Sequence, residues 1–295
     1  MSNRSISIDN IEILQNEPLS KYTFTKTGGH AENLAFPKTV DDVKQLVSYA
    51  NQHHLPITTL GNASNLIISD DGIKGLVMIL THMNQYHLSG NEIIAGAGVP
   101  IIDVSVLACQ HSLSGLEFAA GIPGSVGGAV FMNAGAYGGS TSQAVESAQI
   151  LTKDGQIKTL TNQQLKFSYR HSVIQETHDI VLSAKFKLKS GNQTHIQSLM
   201  DNFNAQRASK QPLNWPSCGS VFKRPKGHYA GQLIHDAKLQ GYQSGGAQVS
   251  RIHAGFIVNV DHATATDYLN VIHHVQQQVY KNSGVHLHTE VRIIK

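Results

Sequence analysis

The stretch GLEFAAGIPGSVGGAVFMNAGAYGG, residues 115–139, decides how this chain is read. Glycine loses more conformational freedom on folding than any other residue, so a run this rich in it needs unusual dihedrals or a ligand close to the backbone. Gly121, Gly124, Gly127 and Gly128 leave a length of main chain with no side chains to shield it. A second segment of this kind lies upstream in GNASNLI (61–67). There the residues Gly61, Asn62, Ala63, Ser64 and Asn65 follow the apolar ITTL (57–60), a buried strand by its pattern. Their small or polar side chains leave N–H groups open, and such a nest suits a diphosphate. Taken alone, the segment reads equally well as a plain Asn/Gly turn. Two such loops in one domain are hard to explain as punctuation.

Outward from these loops the chain alternates helices and strands. TVDDVKQLVSYANQHH places Val40, Val43, Leu46, Val47 and Ala50 at helical spacing, with Thr39 and Asp42 as a capping box. LVMIL (76–80) and EIIA (92–95) read as strands, and a helix starts near Pro100 and stops before Gly115. AQILTK and QIKTL flank Asp154-Gly155, a dipeptide favoured in type I′ hairpins. IVLSAKFKL (180–188) alternates as a half-buried strand, and HIQSLMDNFNAQRASK reads as a helix. The remainder gives a helix in AGQLIHDAKL, a strand in AGFIVNV, a long helix from ATDYLNVI and a final strand in LHTEVRII. Gly191-Asn192-Gln193 marks a boundary. It predicts a domain over 1–192 in two α+β lobes, about 1–75 and 76–192, and a smaller α/β domain over 193–295.

Composition excludes several classes. The net charge of +3 is scattered, without the basic stripe that nucleic acid demands. Two cysteines, Cys109 and Cys218, with no CxxC pair exclude a disulfide framework and point to a reducing compartment. No apolar run approaches the ~20 residues of a membrane helix, and MSNRSISIDN lacks a signal peptide's apolar core, so a cytoplasmic protein is expected. Gly96-Ala97-Gly98 follows a strand and precedes a helix. Ile101 stands at the third glycine position of a Rossmann fingerprint, however, and Pro100 intrudes. No Gly-Lys dipeptide is present for a Walker A loop, and His286-Leu-His288 reads as surface polarity rather than a metal site. Arg170 in FSYRHS, Ser220 in SCGSVFKRP and Glu290 in HTEVRII lie in polar–aromatic settings. By residue type alone, Arg170 and Glu290 read as surface ion-pair partners and Ser220 as a turn residue.

Together these segments resemble one family, the UDP-N-acetylenolpyruvoylglucosamine reductases. The resemblance runs from YTFTKTGGHAENL (22–34) through both glycine-bearing loops, FSYRHS, CGSVFKRP, AGQLIHDAKLQG, GGAQVS and HAGFIVN to HTEVRII. It implies an α+β fold: an FAD-binding domain of the vanillyl-alcohol-oxidase (PCMH) type with a smaller substrate domain. By motif, Gly61, Asn62, Ala63, Ser64 and Asn65 would bind FAD, together with Gly121, Ile122, Pro123, Gly124, Ser125, Gly127, Gly128 and Asn133. Arg170, Ser220 and Glu290 fall at the family's catalytic positions, with NADPH as hydride source. The nucleotide-sugar substrate would meet Lys223, Arg224 and Arg292, the last placed on the same strand face as Glu290. No obligate protein partner is implied.

The chain departs from the family in having Ala63 where a second glycine is usual. The short stretch between Arg170 and Ser220 resembles the variant class without a substrate-covering insertion, and Tyr137 is a candidate for the covering aromatic. The alternative is another FAD-dependent oxidase or dehydrogenase of the same superfamily, against which CGSVFKRP and HTEVRII argue.

Overall fold

The computed structural model describes residues 5–8 and 10–295, so part of the MSNRSISIDN reading lies outside the described residues. The chain divides into two compact units. The first gathers the chain up to Gln15, Asn33–Asn62 and Lys74–Gln206, and the second Asn16–Glu32, Ala63–Ile73 and Arg207–Lys295. This differs from a cut near residue 192. Segments 16–32 and 63–73 belong with the carboxy-terminal chain, because Asn259 Nδ2 donates to Thr25 O (3.0 Å) and strand Arg292–Ile294 pairs in parallel with Leu66–Ile68. Such tertiary pairings leave no local signal.

Two hydrophobic cores build the first unit. In one, helix α1 (Val40–Gln52) starts from the expected capping box, Asp42 N–H donating to Thr39 Oγ1 (3.1 Å) and Thr39 N–H to Asp42 Oδ2 (3.2 Å). Its buried stripe Val43, Leu46, Val47 and Ala50 packs with Leu76 and Met78. The sheet beneath has the order Ser5–Ile8, Ile11–Pro18, His30–Ala35, Ile73–Ile79, Ile57–Leu60.

The other core joins α2 (Ile101–Gln110) and α3 (Val126–Met132) to an antiparallel sheet ordered Ile157–Thr161, Val145–Leu151, Ile180–Lys187, Glu92–Gly96, Tyr86–Ser89. Ile180–Lys187 is more buried than its alternation predicts, because it is the central strand and α3 packs on it. The hairpin loop is not type I′. Thr152 N–H donates to Gln156 O (2.9 Å), and only Gly155 (φ 77°) is left-handed, giving a three-residue loop that ends in a left-handed glycine. Short helices α4 (Thr141–Ala144) and α5 (Ile174–Thr177) precede α6 (Gln193–Lys210), which buries Ile196 and Met200.

The second unit has a four-stranded sheet ordered Ser217–Ser220, Phe256–Asn259, Ala247–Val249, Gln243–Ser244. Helices α7 (Ala230–Asp236) and α8 (Ala265–Ser283) supply Ile234, Tyr268, Val271, Ile272 and Val275 to its core. Cys109 and Cys218 are both free thiols and buried.

Candidate active site

In the first unit the two glycine-bearing loops meet. Asn62 Nδ2 donates to Pro123 O (2.9 Å), and a Cβ on Gly61 would collide with Ser125 Oγ. A side chain at Gly61 would have to displace the Ser125 hydroxyl, which caps α3 through Gly128 N–H. The N–H groups of Asn62 and Ser125 donate to no acceptor among the described residues, and neither do those of Ala63, Ser64 and Asn65. A cavity of about 410 Å³ adjoins the first two, lined among others by Thr81, Asn84, Gly98 and Asp103. Open amides beside a cavity of mixed lining, with Val99 and Pro100 next to the polar groups, fit the diphosphate and ribose of a dinucleotide such as FAD. Ala63 has φ 47°, a left-handed backbone where glycine is the easier residue, so the alanine is held there at a cost.

The glycine run contributes differently from the sequence expectation. Gly124 N–H goes to Ile122 O (2.8 Å), Gly127 N–H to Ala97 O (2.8 Å) and Gly128 N–H to Ser125 Oγ (3.3 Å). Those amides are already used within the protein. Gly127 is needed for packing instead, since its Cβ would stand 3.0 Å from the Ala97 methyl. Asn133, expected at the cofactor, is buried with both side-chain groups engaged: Nδ2 donates to Ser168 O (2.9 Å) and Oδ1 accepts Ser142 N–H (2.9 Å).

That contact leads to Arg170. Ser168 and His171 exchange backbone hydrogen bonds (3.0 and 3.2 Å), closing a two-residue turn over Tyr169 and Arg170. Arg170 is left-handed (φ 56°) at the turn position normally left to Gly or Asn. Its Nη1 donates to Gly135 O (3.0 Å), and its guanidinium lies 5.5 Å from the Tyr169 ring centroid. The neighbouring hairpin turns at Tyr137 (φ 51°) and Gly138 (φ 83°), with the Tyr137 ring stacked 4.5 Å from Phe203 of α6.

The second unit brings Ser220 and Glu290 onto adjoining segments. Val221 N–H donates to Gly255 O (2.9 Å), and Val221 O accepts Glu290 N–H (2.7 Å) and Val291 N–H (3.3 Å). Ser220 is half-buried, its hydroxyl flanking Gly255; a Cβ there would lie 3.4 Å from Ser220 Oγ and 3.1 Å from His253 Cε1. His253 Nδ1 accepts Gly255 N–H (3.1 Å), and burial lowers the imidazole's pKa, favouring the neutral ring that bond requires. Asn65 bridges to the last segment, its O accepting Arg292 N–H (3.0 Å) and its Nδ2 donating to Glu290 O (3.4 Å).

The expected common strand face of Glu290 and Arg292 is not formed. The strand begins only at Arg292, after a bend at Val291 where two successive amides, Glu290 N–H and Val291 N–H, share Val221 O, so strand alternation does not reach Glu290. Lys223 and Arg224 are exposed, with Arg224 stacked 4.0 Å over Tyr229. Among the described residues no cluster of His, Cys, Asp or Glu could hold a metal, and no helix is long and apolar enough to cross a membrane.

A family model described as an FAD binding domain matches residues 31–161. A second, described as the C-terminal domain of UDP-N-acetylenolpyruvoylglucosamine reductase, matches residues 211–294. The protein is thus an FAD-containing oxidoreductase with an α+β fold, as its sequence implies. A UDP-N-acetylenolpyruvoylglucosamine reductase of Lactiplantibacillus plantarum is 62% identical over 96% of this chain and 94% of its own. One from Limosilactobacillus fermentum is 59% identical over 100% of this chain and 98% of its own. The crystal structure of the enzyme so named from Thermus caldophilus superposes with a TM-score of 0.84 at 31% identity, covering 97% of this chain and 99% of that one. The chain belongs to the UDP-N-acetylenolpyruvoylglucosamine reductase family.

Sequence reasoning missed Gln175, His253 and the cavity residues Thr81, Asn84 and Asp103. Only the HAGFIVN motif pointed near one of them.

Proposed function

We propose that this protein reduces the enolpyruvyl ether of UDP-N-acetylenolpyruvoylglucosamine to UDP-N-acetylmuramate with NADPH, a step of peptidoglycan precursor synthesis in the cytoplasm. Gly61, Asn62 and Ser125 for FAD belong to the first unit, as do Arg170 and Tyr137, while Ser220, Glu290, Lys223 and Arg224 belong to the second. Bound flavin supplies a two-electron relay between NADPH and the substrate alkene. Asn62 and Ser125 hold its diphosphate through their open amides, beside a Gly61 that keeps side chains out of the way.

The substrate alkene is conjugated to a carboxylate, so hydride arriving at the terminal carbon moves negative charge onto the carboxylate oxygens. Arg170 stabilises that charge, and Glu290 in its protonated form donates a further hydrogen bond. The adjacent carbon then takes the proton of the Ser220 hydroxyl. Lys223 and Arg224 meet the substrate diphosphate, and Tyr137 covers the sugar.

The observation that carries this reading is the Glu290 N–H to Val221 O bond (2.7 Å), which holds a carboxyl and the Ser220 hydroxyl on adjoining segments. Anaerobic spectroscopy tests it. The purified protein is expected to be yellow, to bleach with NADPH, and to recover its colour on addition of the enolpyruvyl nucleotide. Failure of the nucleotide to restore colour, with an alcohol or hydroxy acid bleaching the flavin instead, would favour the oxidase alternative.

A further inference from the structure

Gln175 makes no part of the reaction described above, yet its side chain ends where the Arg170 turn and helix α3 meet. Its Nε2 donates to Arg170 O (3.0 Å) and to Phe131 O (2.8 Å) near the carboxy-terminal end of α3. Ser172 Oγ donates to the same Phe131 carbonyl (2.9 Å). Asn133, the next residue after α3, holds the other side of the turn through Ser168 O (2.9 Å). The turn is therefore pinned to one helix end at both carbonyls that flank the pair Tyr169–Arg170.

The pinning answers a physical need. Arg170 occupies a left-handed conformation that an L-residue with a long side chain enters only under external constraint. If the Arg170 carbonyl lost its donor, the peptide unit after Arg170 could rotate toward an ordinary right-handed or extended conformation. The guanidinium, now aimed by its bond to Gly135 O (3.0 Å), would then be re-aimed as well. Phe131 O, one of the last carbonyls of its helix, accepts from Ser172 Oγ as well and so anchors Gln175 without depending on it. One amide NH₂ has two protons, and Gln175 gives one to each.

We infer that Gln175 is a positioning residue of the reductase, holding the strained Arg170 turn against the end of α3 so that the guanidinium meets the substrate carboxylate. This rests on the proposed role of Arg170, and it concerns where that side chain sits rather than what it does. Gln175 touches neither hydride nor proton. Losing it lowers the rate of substrate reduction and leaves flavin reduction by NADPH unchanged.

The experiment is a double-mutant cycle on the FAD-loaded enzyme, read by anaerobic stopped flow for both half-reactions, with flavin content and melting temperature as controls. Gln175→Met keeps the length and removes both donors. Substrate-driven reoxidation is expected to slow by up to ~10²-fold, the scale of an ångström's misplacement of a reacting group. Gln175→Lys, which restores N–H donors at similar reach, is expected to recover much of that loss. In an Arg170→Ala background the Gln175→Met change should have less than about a twofold effect, because there is no guanidinium left to aim.

Three outcomes overturn the inference. Gln175→Met within twofold of wild type, while Arg170→Ala is slow, removes Gln175 and leaves the proposed function intact. An equal loss in both backgrounds assigns Gln175 a general structural role. Wild-type reoxidation in Arg170→Ala itself removes the proposed role of Arg170, and the positioning role falls with it. Should Gln175→Met fail to fold, Gln175→Leu, which also lacks the donors and adds no charge, takes its place in the cycle with the same reading.

Discussion

Several residues singled out above accept an unfavourable backbone: Arg170 at φ 56°, Tyr137 at φ 51° and Asn133 at φ 43° in the first unit, and Ala63 at φ 47° in the second. Left-handed L-residues cost about 1–2 kcal/mol each, so neighbouring hydrogen bonds must hold them there. At Gly61 the constraint is space rather than dihedral angle. Gly61→Val would drive a side chain into Ser125 Oγ beside the loop that carries the open amide of Asn62, so the protein should fold but purify with little or no flavin. The ratio of flavin to protein absorbance measures this, and wild-type stoichiometry would mean that the diphosphate binds elsewhere. Ser220 is argued from timing. Its proton is needed only after hydride reaches the substrate, so Ser220→Ala should let NADPH reduce flavin at near wild-type rate. Reoxidation by substrate should fall ~10²–10⁴-fold, the usual contribution of a positioned acid. Reoxidation at the wild-type rate would hand the proton to water or another group.

Among the elements, the long helix α8 of the second unit shows how distant sequence finishes a local signal. Thr264 and Asp267 make a capping box that can be read from the sequence, yet Asp70, nearly two hundred residues upstream, adds a second cap. Its carboxylate accepts Ala265 N–H (2.8 Å), Thr266 N–H (2.9 Å) and the Thr266 hydroxyl (2.6 Å). Partial burial alone would raise the Asp70 pKa, but the hydrogen bonds from Thr266 and Ala265 outweigh it and hold the carboxyl below its ordinary value. Asp70→Ala should therefore lower stability by about 1 kcal/mol at neutral pH, a typical capping contribution. A depressed folded pKa gives stability that is fully present above the unfolded value near ~3.9 and lost as pH falls through the folded value. The difference between wild type and Asp70→Ala in denaturant melts should shrink on acidification below that point. A difference independent of pH would mean that the carboxylate's charge plays no part.

At the scale of the whole molecule, what could be read from the sequence was what is local. Periodicity and a capping box located α1, Pro100 and Gly115 bracketed α2, and motif order pointed to Ser220, Glu290 and the two loops. The unit division escaped it, because Leu66–Ile68 finds its partner at Arg292–Ile294 and Thr25 finds Asn259, pairings decided by packing rather than by neighbours in sequence. Gln175 escaped for the same reason, as did the bond from Asn133 to Ser168, each being engaged with a turn that only the folded chain places beside it. The two cysteines give each unit its own reporter: Cys109 in the first, Cys218 in the second. Burial pushes the Cys218 thiol up to about 12, and burial together with the nearby charges of Glu117 and Asp201 raises that of Cys109. Neither should react with a thiol reagent at pH 8 unless its unit opens, since the thiolate is the reactive form. Flavin that binds the folded first unit suppresses its opening by the factor 1 + [L]/Kd, about 100-fold at a hundredfold excess over Kd. Labelling of Cys109 in flavin-stripped protein, followed by mass spectrometry of its peptide, should slow by that factor when FAD is added, and in denaturant both thiols should react at once. If FAD left the Cys109 rate unchanged while restoring the yellow colour, the thiol would be reached by a local motion that the flavin does not restrain.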